Sequence, residues 1–147
     1  SMFVFTKNCK KFNEPIESAA SHEIGESLVD PACGDYSYDP LLEAFHAKEP
    51  WDPAEGLYLP VDNFQFQNFV HPGWYEATAL GEHHLRFDEA WCMGGPFKVG
   101  QDGYSQGYDD GKWNYIFGSE KKKEQFEQED RRGHRSERRI ELMNETI

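Results

Sequence analysis

The spacing of apolar positions changes character along the first thirty residues. At residues 3–6, "FVFT" groups aromatic and β-branched side chains, which predicts a short strand, and the "KNCKKFNEP" that follows reads as a polar turn. From there the period becomes helical: Ile16, Ala19, Ala20, Ile24 and Leu28 step mostly by three or four. Pro15 is tolerated in a first helical turn, and Glu14 and Glu17 suit the positive end of the helix dipole. Pro31 keeps Asp30 out of helical geometry, so a helix is expected over about 15–29.

Residues 32–62 carry Pro40, Pro50, Pro53 and Pro60 among many acids and read as a loop with one short helix, "PLLEAFHAK". In "DNFQFQNFV" at 62–70, Phe64 and Phe66 alternate with polar residues, predicting a second strand that "HPGWY" turns. Glycines punctuate 94–111, and Asp110-Gly111 between "GYSQGY" and "KWNYIF" is a hairpin signal. Over 119–142 the pattern becomes dense mixed charge, a solvated helix with Ser119 as N-cap and Gly133 as a weak point. Its apolar anchors are few, mainly Phe126, Ile140 and Leu142. Such a helix is expected to dock weakly on its own body or to bury its face on a partner protein. The chain thus divides into a body, 1–117, and a charged helical tail, 118–147.

A length of 147 residues suits one domain, and 11 Phe, 7 Tyr and 4 Trp give it a core to bury. The net charge of −12 argues against general nucleic-acid binding, which needs cationic surface. The acidic excess lies in residues 1–117, while 118–147 balance acid and base. No apolar run approaches the ~20 residues that span a bilayer, so no membrane segment is expected. No charged-then-apolar leader opens the sequence, and Ser1 before Met2 reads as a remnant of tag cleavage. Cys9, Cys33 and Cys92 form neither a CxxC knuckle nor a disulfide framework, which favours a cytosolic setting.

The chemistry concentrates in "SAASHEIGESLVDP", residues 18–31. Residues four apart share a helix face, so His22 and Glu26 can reach one ion, and zinc accepts both imidazole nitrogen and carboxylate oxygen. Glu23, one step round, can lean toward water at that ion as a general base without ligating it. Alone, the pattern HExxE also fits an ordinary acidic helix. Gly25 costs roughly 1 kcal/mol relative to Ala in a helix interior, which implies a packing or access reason at that turn.

"SHEIGESLVDP" resembles the SHExxExxxDP segment of a group of zincin-like metallopeptidases from bacteria and tailed phages. "EPWDPAEG" at 49–56, "FQFQNFVHPGWY" at 64–75, "DGYSQGYDDGKW" and "RRGHRSERR" resemble further segments of that group in the same order. Gln67-Asn68 departs from the group's Ser-Asp, and His71 stands where Thr is common. The resemblance implies an α+β, zincin-like fold: an active-site helix on a small mixed sheet, a strand- and turn-rich second half, and zinc as cofactor. It implies His22 and Glu26 as ligands, Glu23 as base, and a third ligand at Glu49 or Asp52, Glu49 ahead; Glu55 and Asp30 are alternatives. "FVFT" is then the edge strand that pairs with an extended peptide or protein substrate, and the early start of that strand implies that sheet upstream of it is missing. A non-catalytic phage or mobile-element structural protein retaining the fold is the rival, and the setting is cytoplasmic or virion-associated.

Other features read more simply. His83-His84 reads as surface, His71 as a turn residue, and Trp51, Trp74, Trp91 and Trp113 as aromatic core. The Lys/Arg run at 131–139 reads as a solvated helix end, and Cys33 as a buried thiol. No nucleophile elbow, P-loop or GxGxxG fingerprint is present.

Overall fold

The computed structural model describes residues 4–76 and 95–146, with side chains described as far as residue 142. His83, His84, Trp91 and Cys92 lie outside the described residues. The described chain is α+β, with four α-helices and small antiparallel sheets.

Helix α1 (Thr6–Phe12) ends at Asn13, which takes a left-handed conformation (φ 58°, ψ 40°) that asparagine tolerates. Helix α2 (Ile16–Val29) follows, with Pro15 at its N-cap: the Pro15 carbonyl accepts from the Ser18 and Ala19 N–H groups. Of the strand expected at 3–6, residue 3 lies outside the described residues, Val4 and Phe5 are irregular, and Thr6 already begins α1. Long-range contacts override the local propensity. Asn8 exchanges two hydrogen bonds with the Asp130 backbone, Lys11 donates to the Gln128 carbonyl at 2.9 Å, and Phe5 stacks on His134.

The expected helix "PLLEAFHAK" is instead a hairpin. Strands β1 (Tyr36–Asp39) and β2 (Ala44–Ala47) pair antiparallel, with Asp39 Oδ1 accepting from the Leu41 N–H at 2.8 Å and Glu43 at φ 51°. Propensity differences among Leu, Ala and Glu are tenths of a kcal/mol, and β2 gains a ladder to the next hairpin. That hairpin, β5 (Tyr104–Asp109) and β6 (Lys112–Phe117), turns at Asp110-Gly111, whose φ values of 46° and 80° are those of a type I′ turn. The sheet order is β1-β2-β5-β6. A second sheet, the hairpin of β3 (Tyr58–Val61) with β4 (Phe64–Gln67), packs on α2 through β4. Every described pairing is antiparallel, not mixed.

Gln67 fixes β4 to its surroundings. Its backbone N–H donates to Ser21 Oγ, its side-chain Oε1 accepts from Ser18 Oγ, and its side-chain Nε2 donates to the Ala54 and Leu57 carbonyls. The apolar core comprises Ala54, Val70, Trp74 and Phe97, with Tyr75 and Val99 against it.

The charged C-terminal stretch forms two helices, α3 (Glu120–Glu127) and α4 (Arg135–Thr146), separated near Gly133 at φ 84°. Ser119 caps α3 by accepting the Lys122 N–H at 3.1 Å. The stretch is not a solvated face: Lys122, Phe126, His134, Arg135, Ser136 and Arg139 are buried. Its anchors are Phe126, packed against Tyr104, Tyr115 and Phe117, and arginines on carboxylates. Arg139 donates to Asp30 Oδ2 at 2.9 Å and to Glu49 Oε1 at 2.5 Å, and Arg135 reaches both Glu49 oxygens at 3.3 Å.

Candidate metal centre

Helix α2 presents His22 and Glu26 on one face, and the 3-10 turn Asp52–Ala54 brings Asp52 against it. Gly25 lies on this helix because the Trp51 ring occupies the space a Cβ would take. Trp51 is the residue before Asp52, so this close approach sets the turn's distance from the helix. The glycine expected to have a packing reason has one, on the indole.

His22 Nε2 lies 3.0 Å from Glu26 Oε1 and 3.0 Å from Asp52 Oδ1. One ring N–H serves one acceptor well, and here Asp52 takes the hydrogen bond. Glu26 is 0 % exposed, and neither of its oxygens has a hydrogen-bond partner. The groups facing it are the His22 ring at 3.0 Å and, beyond hydrogen-bond range, Arg135 Nε at 3.7 Å from Oε2; a buried carboxylate without a hydrogen bond is costly, so these oxygens could take a cation. The three candidate donor atoms lie within 4.8 Å of one another, close enough to share one ion.

The charges respond to each other. Burial disfavours the His22 imidazolium, but the Glu26 charge and the hydrogen bond of Asp52 hold its pKa well above the ordinary value. Burial and then the Asp52 charge push Glu26 well up. Burial also opposes ionisation of Asp52, but His22 and a hydrogen bond from Tyr104 bring it below the usual range. The cluster thus gathers two acids on one imidazole, a set of charges that a dication would neutralise.

Of the two expected third ligands, Asp52 joins His22 and Glu26, and Glu49 does not. The Glu49 carboxylate is taken by Arg135 and Arg139, which suits an anchor for α4. Asp30 is likewise occupied, by Arg139 and the Gly34 N–H, and Glu55 pairs with Lys122 at 2.8 Å. Glu23 points to a different neighbour. It lines a cleft of about 70 Å³, room for several waters, together with His22, Tyr104, Arg131 and His134. Burial raises its pKa, with His22 opposing.

His71 accepts the Gly73 N–H at 3.1 Å through Nδ1 and so caps the Pro72–Tyr75 turn. Cys33 is buried, and Trp74 lies in the core. A Ser-His-Asp array also occurs, with His46 Nδ1 2.9 Å from Ser105 Oγ and Nε2 3.4 Å from Asp39 Oδ2. All three are at most 2 % exposed, so no substrate reaches them. The sequence reading missed Tyr104 and His134 at the cleft, and it placed the arginines in solvent. The available signal was Arg131, Arg135 and Arg139 at i,i+4 spacing, a basic helical row in a chain whose body is acidic.

Comparisons with known protein families, with curated proteins and with solved structures return no match.

Proposed function

We propose that the protein is a zinc-dependent hydrolase of the zincin type acting on peptide bonds, with His22, Glu26 and Asp52 as ligands and Glu23 as general base. The observation that carries this reading is the convergence of two carboxylates on one imidazole nitrogen, with the Glu26 oxygens buried and unbonded. One imidazole with two carboxylates favours zinc over calcium or magnesium, which prefer all-oxygen sites. A zinc ion held there would supply a Lewis acid for a carbonyl oxygen and make water a competent nucleophile near neutral pH.

The chain's own residues then have separable tasks. Tyr104 orients Asp52, and Asp52 with Glu26 sets the plane of the His22 ring. Glu23 faces the water-sized cleft beside His22 and takes the proton of the attacking water. The peptide bond as substrate is the implication of the segment resemblances.

Calorimetric zinc titration tests the reading. The parent should bind about one zinc, and His22→Ala should bind none. Glu23→Gln should bind zinc like the parent yet cleave labelled casein at least about 100-fold more slowly, since the amide cannot accept a proton. Unchanged stoichiometry in His22→Ala contradicts the site, and equal loss of zinc in Glu23→Gln and Glu26→Gln makes Glu23 a ligand. A parent that binds zinc but cleaves nothing favours a non-catalytic protein with a metal site.

A further inference from the structure

His134 stands between Gly133 and α4, with its backbone held at both ends. Its N–H donates to the Arg131 carbonyl at 2.9 Å, and its own carbonyl accepts from Arg138 at 3.1 Å. Its ring is 8 % exposed and lines the same cleft as Glu23. Three groups crowd Nδ1: Arg131 Nη2 at 2.8 Å, the Ser136 backbone N at 3.3 Å and Ser136 Oγ at 2.9 Å. A guanidinium and a backbone amide only donate, so Nδ1 must offer its lone pair. That assignment comes from the hydrogen-bond network. It puts the ring proton on Nε2, which lies 3.8 Å from Glu23 Oε1.

Arg131 is itself immobilised. It donates to Glu129 at 2.9 Å and to the Tyr104 hydroxyl at 3.1 Å, and its guanidinium lies 3.7 Å from the Phe126 ring centroid. The donor that fixes the His134 tautomer therefore cannot readily move away. Phe5 stacks on the imidazole with an interplanar angle of 23°, limiting rotation of the ring.

We propose that His134 is a positioning residue for Glu23, a neutral imidazole whose Nε2–H is aimed at one carboxylate oxygen and leaves the other free for water. The proposal rests on the reading of Glu23 as a base. The gap of 3.8 Å is outside hydrogen-bond range, and a shift of about 1 Å closes it. Catalytic hydrogen bonds are commonly longer before substrate binds. His134 can thus act on the orientation of Glu23 while contributing no zinc ligand.

Two readouts test this, one of them independent of activity. In the metal-free protein, ring nitrogen NMR should show His134 with Nδ1 unprotonated and Nε2 protonated at neutral pH; the opposite tautomer, or an imidazolium, overturns the proposal. In the same protein His134→Leu should move the Glu23 carboxyl-carbon signal, and His134→Gln, whose amide offers a donor near the Nε2 position, should restore most of the shift. An unmoved Glu23 signal in the folded Leu variant also overturns it; if the Leu variant does not fold, the tautomer and the Gln variant decide. With zinc added, His134→Leu should keep parental stoichiometry, lose about 10–100-fold in kcat on labelled casein, and recover substantially as Gln. Loss of zinc from both variants would make His134 a ligand, against the proposal. Absence of cleavage by the parent would contradict the hydrolase reading while leaving the tautomer and the Glu23 signal to judge His134.

Discussion

At the scale of single residues, two buried acids three positions apart have opposite fates. Asp52 faces an imidazole and a phenol hydroxyl, and Glu49 faces two guanidiniums. Asp52→Asn should therefore weaken zinc binding by at least about tenfold, since the carboxamide is a poor ligand, and should also lower urea stability, since it removes the buried partner of His22. Glu49→Gln should lower stability and spare zinc binding. Removing one partner of a buried ion pair costs about 3–5 kcal/mol, so this variant should unfold at much lower urea and still bind about one zinc while folded. Zinc titration and urea melts of the two variants check both halves; a Glu49→Gln protein that folds and has lost zinc would exchange the assigned roles.

At the scale of elements, α2 and β2 each carry a residue whose cost its neighbours explain. Alanine is the better helix former by about 1 kcal/mol, but at Gly25 its methyl group would enter the Trp51 ring. Overpacking typically costs about 1–3 kcal/mol, so Gly25→Ala should lower the melting temperature rather than raise it. His46 in β2 is fully buried, and burial lowers its pKa against the pull of Asp39. The unfolded chain then binds a proton that the native state refuses. This contribution to stability is complete above about pH 6.5 and declines as pH falls through that value. His46→Gln should flatten the fall in urea midpoint between pH 7 and 5 relative to the parent; an unchanged slope would show that His46 protonates in the fold. These elements also show what was legible in the sequence. Helix α2, the Asp110-Gly111 turn and the Ser119 cap follow local rules, namely apolar period, positive φ and a hydroxyl acceptor. The strand at 3–6 and the helix at 40–48 fail because distant partners decide them: residues 128–134 hold α1, and β5 recruits β2. His22, Glu23 and Glu26 were legible because one helix carries them. Asp52 was distinguishable from Glu49 only through the arginines of α4, which the sequence leaves about ninety positions away.

At the scale of the whole molecule, the segment after residue 118 completes the body. Two of its arginines neutralise Asp30 and Glu49, acids that are at most 3 % exposed. The expectation of a weakly docked tail thus reverses: deletion of residues 119–147 should abolish cooperative unfolding, read by circular dichroism in urea, because those acids would be left buried without a counter-charge. A truncated chain that melts like the parent would contradict this packing. The same arrangement commits Asp30 and Glu49 to Arg139 and Arg135 and leaves Asp52 to join His22 and Glu26, with Arg135 Nε also 3.7 Å from Glu26 Oε2. Anomalous diffraction at the zinc edge, from crystals grown with zinc, tests this division of the acids most directly. The account predicts one strong peak about 2.0–2.1 Å from His22 Nε2 and from oxygens of Glu26 and Asp52, with Glu49 still on its arginines. A peak elsewhere, or an ion held by Glu49 in place of Asp52, would contradict it.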